Sequence, residues 1–290
     1  MEVAYFPGCS LHGLSRAYNT STHLVCDKLN IDLHEIEDWN CCGATAAHSL
    51  NHKLSLSLGA RNLNIAKNMN LEMVLAPCAG CFSRLKTTSY ELRSNPELAD
   101  EIAHIIEAPA PVEPEVMNLL QLLVEQVGIE EIGKKVVKPL TGLKVAAYYG
   151  CLLTRPKQVV GFDSPEQPVA MDQILEAIGA QTVIWPHKAE CCGGGYAASQ
   201  TDIVIDLGGQ ILESARQAEA QAIVVACPMC HTNLDTRLKA IEKERGQKYD
   251  LPIIFITQLM GLAFGYSYQQ LGFRQLLNSA APLLKKQGLV

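Results

Sequence analysis

Ten cysteines fall into two sets of one design. The first set is Cys9, 31 intervening residues, the adjacent pair Cys41-Cys42, 35 more residues, and Cys78-Ala79-Gly80-Cys81. The second is Cys151, 39 residues, Cys191-Cys192, 34 residues, and Cys227-Pro228-Met229-Cys230. A thiolate is a soft ligand that suits zinc, copper(I) and iron–sulfur clusters. Structural zinc takes four ligands and an ordinary cubane cluster takes four cysteines, so five per set exceed both. Adjacent side chains diverge, which suits two irons of one larger cluster better than one small tetrahedral ion. Gly43 follows the first pair and Gly193-Gly194-Gly195 the second. Such glycines let backbone approach a bulky group and offer N–H to its sulfurs. A C-x-x-C at the start of a helix adds two thiolates favoured by the positive end of the helix dipole. Plainer readings use fewer thiols: a zinc scaffold with one cysteine over in each set, thiol–disulfide exchange at the two C-x-x-C segments, or structural disulfides. Cys26, the eleventh, sits within a helical pattern and reads as a small buried apolar residue.

The repeat extends beyond the cysteines. Tyr5-Phe6-Pro7-Gly8-Cys9 is echoed by Tyr148-Tyr149-Gly150-Cys151, and Gly59 and Gly208 stand 149 residues apart, the same separation as Cys78 and Cys227. The chain therefore reads as a duplication whose join falls in Lys134–Gly142, where lysines, Pro139 and Gly142 interrupt the apolar pattern. Strands are expected near Val3–Phe6, Ile31–Ile36 and Met73–Ala76, with helices near Ser15–Leu29 and Ala47–Met69; the second of these helices sets Leu50, Leu54, Leu58 and Ile65 on one face. The second half repeats this, with strands near Lys144–Tyr148, Thr182–Trp185 and Ile223–Ala226 and a helix carrying Ile203, Leu207 and Ile211. The fold class is α/β, two pseudo-symmetric domains, each a small Rossmann-like parallel sheet flanked by helices. Every cysteine group then follows a strand. Parallel sheets bind ligands beyond the carboxyl ends of their strands, so three strand ends bring five thiolates together from positions as far apart as Cys9 and Cys81.

Composition narrows the partners. The 290 residues are 48% hydrophobic and 19% charged, enough apolar content for a packed core, and the net charge of −6 gives no basic face for nucleic acid. The residues Met1–Cys9 lack a basic region followed by an apolar one, and no window reaches the roughly 20 apolar residues of a membrane span. The most apolar stretch, Ile253–Tyr266, reads as a strand and helix of the core. A soluble, cytoplasmic protein is expected, in which clustered thiols bind metal or do redox chemistry.

The double motif, with glycine after each adjacent pair, resembles the CCG domain, and its two copies in one chain resemble the B subunit of heterodisulfide reductase and its relatives. The likeness covers nearly the whole chain and all ten motif cysteines, with one CCG domain over residues 1–138 and another over 139–290. It implies two non-cubane [4Fe–4S] clusters, one on Cys9, Cys41, Cys42, Cys78 and Cys81, the other on Cys151, Cys191, Cys192, Cys227 and Cys230. It also implies reduction of a small disulfide, the mixed disulfide of coenzyme M and coenzyme B or an analogue, to two thiols. The family further includes subunits of quinone-linked succinate or fumarate reductases, and the segment Asp38–His48 is closer to these. Partners implied are a subunit with cubane [4Fe–4S] clusters and a flavin-containing subunit, with membrane association only through partners. The chain itself lacks G-x-G-x-x-G and any ferredoxin-type cysteine spacing, so electrons are expected to enter from another subunit. Cleaving a disulfide takes up two protons, for which His48, His187 and His231 are candidates; each could instead bond a cluster sulfur or a backbone carbonyl. Lys188 reads as a solvated surface lysine, with attraction of an anionic substrate as the alternative.

Overall fold

Short runs, apolar in the central strands, build two separate parallel sheets, and the first three strands of each lead into a cysteine-bearing turn. The computed structural model describes residues 1–44, 47–111 and 113–290; Thr45 and Ala46, inside the segment Asp38–His48, and Val112 lie outside the described residues. The first sheet contains β1 (Glu2–Tyr5), β2 (Asp32–Glu35), β3 (Met73–Leu75) and β4 (Glu115–Met117), in the order β2-β1-β3-β4. The second contains β5 (Lys144–Tyr148), β6 (Gln181–Thr182), β7 (Ala222–Val225) and β8 (Ile253–Phe255), in the order β6-β5-β7-β8. All pairings are parallel, with Tyr5 opposite Leu75 and Tyr148 opposite Val225 at the carboxyl ends. The strand order reverses between the first and third strand of each sheet, and that is where a crevice opens for a ligand.

β4 has no counterpart among the expected strands, and the strand expected over Thr182–Trp185 is only the two residues of β6. Trp185 lies beyond it, buried, with its indole N–H donating to the carbonyl of Ala147 at 3.2 Å. The helix over Ala47–Met69 is broken into Ala47–Leu50 and His52–Asn68 by Asn51, whose side chain accepts from the N–H of Leu54. Its packing face differs from the expected one. Leu50 is 79% exposed and Leu54 46%, whereas Leu56, Gly59, Ala60, Leu63 and Ala66 are buried. Small residues set that face because the neighbouring helix, Ala79–Ser94, comes very close: a Cβ on Gly59 would stand 2.4 Å from Thr88 Oγ1. In the second half a Cβ on Gly208 would stand 2.8 Å from Ile241 of the helix Pro228–Arg245. There Ile211 is buried, while Ile203 and Leu207 are half-buried.

The two halves share one core. A single cluster of buried side chains runs through both sheets, from Val3, Val74 and Val116 to Val145, Val224 and Ile254. The packing is reciprocal. The helix Arg16–Lys28 of the first half lies against Ile256–Ala263, which follows the last strand of the second; the helix Ala170–Ala177 lies against Leu119–Gln121 and Ile129–Lys134 of the first. Ser21 and Thr257 hydroxyls meet at 2.6 Å across this seam, and Tyr18 stacks on Phe255 with ring centroids 4.4 Å apart.

Candidate metal centres

Both cysteine sets assemble at the carboxyl ends of the strands. Cys78 and Cys227 are the N-cap residues of the helices Ala79–Ser94 and Pro228–Arg245, so Cys81 and Cys230 lie in the first turns. In the first set, Cys42 Sγ and Cys81 Sγ are 3.2 Å apart, Cys78 is hydrogen-bonded to Cys81, and Cys9 is near enough to act on the charge of Cys41. In the second, Cys192 Sγ and Cys230 Sγ are 3.6 Å apart, and Cys151 bonds Cys191 as Cys230 bonds Cys227. The two sets also touch: Cys78 and Cys227 are hydrogen-bonded to each other, and the N–H of Ala79, in the first half, donates to Cys227, in the second. Cys9, Cys41 and Cys191 are exposed and Cys151 is half-buried, so each site has an open side.

The local sequence explains how the sulfurs fit. Gly43 and Gly193 adopt φ of +78° and +75°, a left-handed turn that aims the N–H back at the first cysteine of the pair, 3.4 Å from Cys41 Sγ and 3.3 Å from Cys191 Sγ. Gly8 and Gly150, at φ of +63° and +67°, precede Cys9 and Cys151; a Cβ on them would stand 2.8 Å from Cys81 Sγ and 2.9 Å from Cys230 Sγ. Crowded thiols share protons unequally. Hydrogen bonds from Cys41 and then Cys81 pull Cys42 down to about 3, and Cys41 is pushed up in return. The Cys151 thiol, aided by the Gly193 N–H, brings Cys191 down to about 6, and Cys230 with Cys78 holds Cys227 well below the usual thiol range. Each set thus carries a thiolate ready to ligate. Five converging sulfurs, backbone N–H groups aimed at them and glycines where a Cβ would fill the space fit a multi-iron sulfur centre. Cys26 stands apart, fully buried, its thiol pushed up to about 12 by desolvation.

The supports around the two sets differ. Asn40, just before the first pair, exchanges two 2.9 Å hydrogen bonds with Asn62, and Arg61 holds Asp38 through its carbonyl and its carboxylate. Lys188 takes the place of Asp38 before the second pair and is no surface lysine. It is 8% exposed, with Nζ 3.0 Å from Asp172 Oδ2, 2.9 Å from the Pro168 carbonyl and 5.4 Å from the Tyr149 ring centre. A lysine is tolerated at this depth only because a carboxylate and a carbonyl replace its water. Its own carbonyl accepts from the N–H groups of Tyr149 and Gly150, which ties the loop before Cys191 to the turn that presents Cys151. The Tyr149 hydroxyl donates to Asp172 and accepts from the N–H groups of Met171 and Asp172.

The three histidines occupy different settings. His48 is exposed in the short helix Ala47–Leu50, its N–H 3.4 Å from the carbonyl of Gly43. His187 is half-buried in the turn before the second pair, and its Nδ1 is buried without a partner among the described residues. His231 is engaged in packing: Nε2 donates to the carbonyl of Ile253 at 3.2 Å, the ring stacks on Phe255 at 4.1 Å, and burial brings it down to about 4. Residues that sequence reasoning missed include Asn233, whose amide reaches the Cys192 carbonyl, and Arg237, which donates to the Ala197 carbonyl at 2.6 Å. They follow Cys230 at helical spacing on one face of its helix, and that spacing was the available signal.

The cysteine-rich CCG domain matches residues 3–86 and again 145–235. The chain belongs to the CCG cysteine-rich domain family. The family match covers all ten cysteines of the two sets. Over 97% of its length the chain is 34% identical to the 8-methylmenaquinol:fumarate reductase membrane anchor subunit of Wolinella succinogenes, covering 99% of that protein. It is 30% identical to the B subunit of the ferredoxin:CoB-CoM heterodisulfide reductase of Methanosarcina mazei, over 94% of this chain and 93% of that one. Both relatives are, by name, subunits of redox complexes. A crystal structure of a hypothetical protein from Helicobacter pylori shares the fold, with a TM-score of 0.74 at 13% identity, over 96% of this chain and 52% of that one. Among the described residues, no helix is long and apolar enough to cross a membrane.

Proposed function

We propose that this chain is the disulfide-reducing subunit of a cytoplasmic heterodisulfide reductase-type complex, with one non-cubane [4Fe–4S] cluster in each of its CCG domains, 1–138 and 139–290. The observation that carries this reading is a cavity of about 370 Å³ between the two cysteine sets. Cys9 lines one side; Gly194, Pro228 and Met229 line the other. Gly194 is packed against the second set, since a Cβ on it would stand 3.4 Å from Cys192 Sγ. A small molecule in this cavity touches Cys9 of the first set and the residues Gly194, Pro228 and Met229 that lie beside the second. The clusters, when bound, supply single electrons and soft iron sites that capture sulfur.

The balance is one disulfide, two electrons and two protons in, and two thiols out. The electrons come from a subunit with cubane clusters, fed in turn by a flavin-containing subunit. Cys9 and Cys41 in the first set, and Cys151 and Cys191 in the second, keep accessible surface. His48 and His187 are the proton donors of this reading, because His231 spends its Nε2 proton on Ile253. A second reading draws on the 34% identity to the fumarate reductase subunit: the same two clusters would pass electrons between cubane clusters and a quinone.

Anaerobic purification of the native complex tests both. The expected result is about eight irons and eight sulfides per chain, a co-purifying cubane-bearing subunit, and disulfide-dependent oxidation of a reduced viologen with two thiols released per two electrons. Zinc without sulfide overturns the cluster assignment. Intact clusters that oxidise a quinol and leave disulfides untouched establish the second reading.

A further inference from the structure

We infer that the two centres are unequal toward electrons: the one on Cys151, Cys191, Cys192, Cys227 and Cys230 is the more easily reduced, because the first half lends it a hydrogen bond that is not returned. This rests on the reading of both cysteine sets as cluster sites. The C-x-x-C turns of the two halves abut. Cys78 and Cys227, 2% and 4% exposed, are hydrogen-bonded to each other. The Tyr18 hydroxyl, on a helix of the first half, donates to the carbonyl of Ala226 at 3.1 Å and so pins the residue just before Cys227. The N–H of Ala79 donates across the same seam to Cys227, which also accepts from the N–H of Cys230.

The two turns are not equivalent where they meet. Ala79 and Pro228 hold the same place, one residue after the N-cap cysteine of each helix. Proline has no N–H, so position 228 has none to give back to Cys78. The next position differs as well, with Gly80 in the first turn and Met229 in the second. A Cβ on Gly80 would stand 3.0 Å from Met229 Sδ, so the glycine leaves room for the methionine of the other half.

An N–H aimed at a ligating sulfur stabilises negative charge on the group that the sulfur holds. An added electron increases that charge, so the bond favours the reduced form, and the potentials of iron–sulfur centres follow the hydrogen bonds to their sulfurs. Burial enlarges the effect, because little water screens the bond. Other features separate the sites less. The glycine N–H groups reach Cys41 and Cys191 at 3.4 and 3.3 Å, much the same in both. The ion pairs Arg61–Asp38 and Lys188–Asp172, before the two adjacent cysteine pairs, each sum to zero. Exposure distinguishes the sets only at Cys9, exposed, and Cys151, half-buried, and solvation of Cys9 opposes the bond. The bond is made in the buried interior and sets the order.

Anaerobic redox titration of the holo complex, followed by electron paramagnetic resonance, tests this. Cys192→Ser, which keeps the first centre, and Cys42→Ser, which keeps the second, assign the two one-electron steps. In the wild type the second centre should hold the first electron with about a tenfold preference, equivalent to about 59 mV for one electron. Pro228→Ala supplies the missing N–H at a helix position whose N–H has no partner within the helix, and it should raise the potential of the first centre and close most of the gap. Ala79→Pro removes the donated N–H and should lower the second centre alone; Cys78, at φ −74° and ψ 120°, already has the extended backbone that a following proline requires. Equal potentials in the wild type, or a first centre reduced before the second, overturn the proposal. So does a gap that Pro228→Ala leaves unchanged, or a variant that shifts both centres alike, which marks general repacking. If Ala79→Pro fails to load iron, Pro228→Ala decides. Iron and sulfide content keeps the two readings apart: zinc without sulfide overturns the cluster assignment and this inference with it, whereas loaded centres with equal potentials overturn this inference alone.

Discussion

The site built on Cys9–Cys81 and the site built on Cys151–Cys230 agree in their sulfurs and in the glycines beside them, yet they are held in place by different means. A Cβ on Gly8 would meet Cys81 and one on Gly150 would meet Cys230 at distances within a tenth of an ångström of each other, and Gly43 and Gly193 share a φ to within 3°. Before the first pair, however, an amide clamp and an exposed Arg61–Asp38 pair hold the loop, while before the second a buried lysine–aspartate pair does so. Positions that meet the bound group have one geometric solution. Positions that merely support the loop have several, and the two halves have taken different ones.

The sharpest way to break the comparison is to remove one sulfur from each half. Cys42→Ser and Cys192→Ser each delete a soft ligand from the middle of a set, and each should lower anaerobic iron and sulfide content by about half. Full cluster content in both variants would show that the adjacent pair is not a ligand pair. Unequal losses would show which site depends on the other through Cys78 and Cys227.

The supports should respond very unequally. Lys188→Met leaves Asp172 buried without its cation and should destabilise the protein by about 3–5 kcal/mol, read from denaturant unfolding of the anaerobic protein. Arg61→Gln breaks a pair in which both side chains are well exposed, and about 0–1 kcal/mol is expected there. Similar losses for the two would remove the distinction between buried and exposed support.

The glycines should restore the symmetry. Gly8→Ala and Gly150→Ala each force a side chain into left-handed backbone and against a sulfur, for about 1–3 kcal/mol of strain. Each should also speed iron release to a chelator from its own site, and to a similar degree. The smallest effect belongs to Cys26→Ser, which touches neither site; unchanged iron content and a loss of about 1 kcal/mol from a buried hydroxyl are expected.

What was legible in the sequence follows the same division. The cysteines and glycines show by type and spacing that they come together, and with them the parallel order of the strands. β4 gave little sign: three residues after Pro114, beginning with Glu115, are too few to show a period. The packing face of the helix His52–Asn68 is hidden because apolar periodicity favours large residues, whereas a close helix contact selects Gly59 and Ala60. Lys188 and its partner Asp172 carry no local signal. Their surroundings come from segments far away in the chain, and a lysine beside a histidine reads as solvated until Asp172 and Tyr149 are placed beside it.

The reciprocal packing of the halves bears on how the protein is made. The helix Arg16–Lys28 waits for Ile256–Ala263, a segment synthesised more than two hundred residues later. At about 5–20 residues per second that delay is roughly ten seconds or more. During it the face that carries Tyr18 and Ser21 lacks its cover, and the Cys78 side of the first site lacks Cys227. A nascent chain released at the end of the first half should therefore bind chaperones and be cut readily by protease, while the full-length chain should resist. Closure of the first site then waits for the second half, because Cys78 meets Cys227 only when the two halves have packed together.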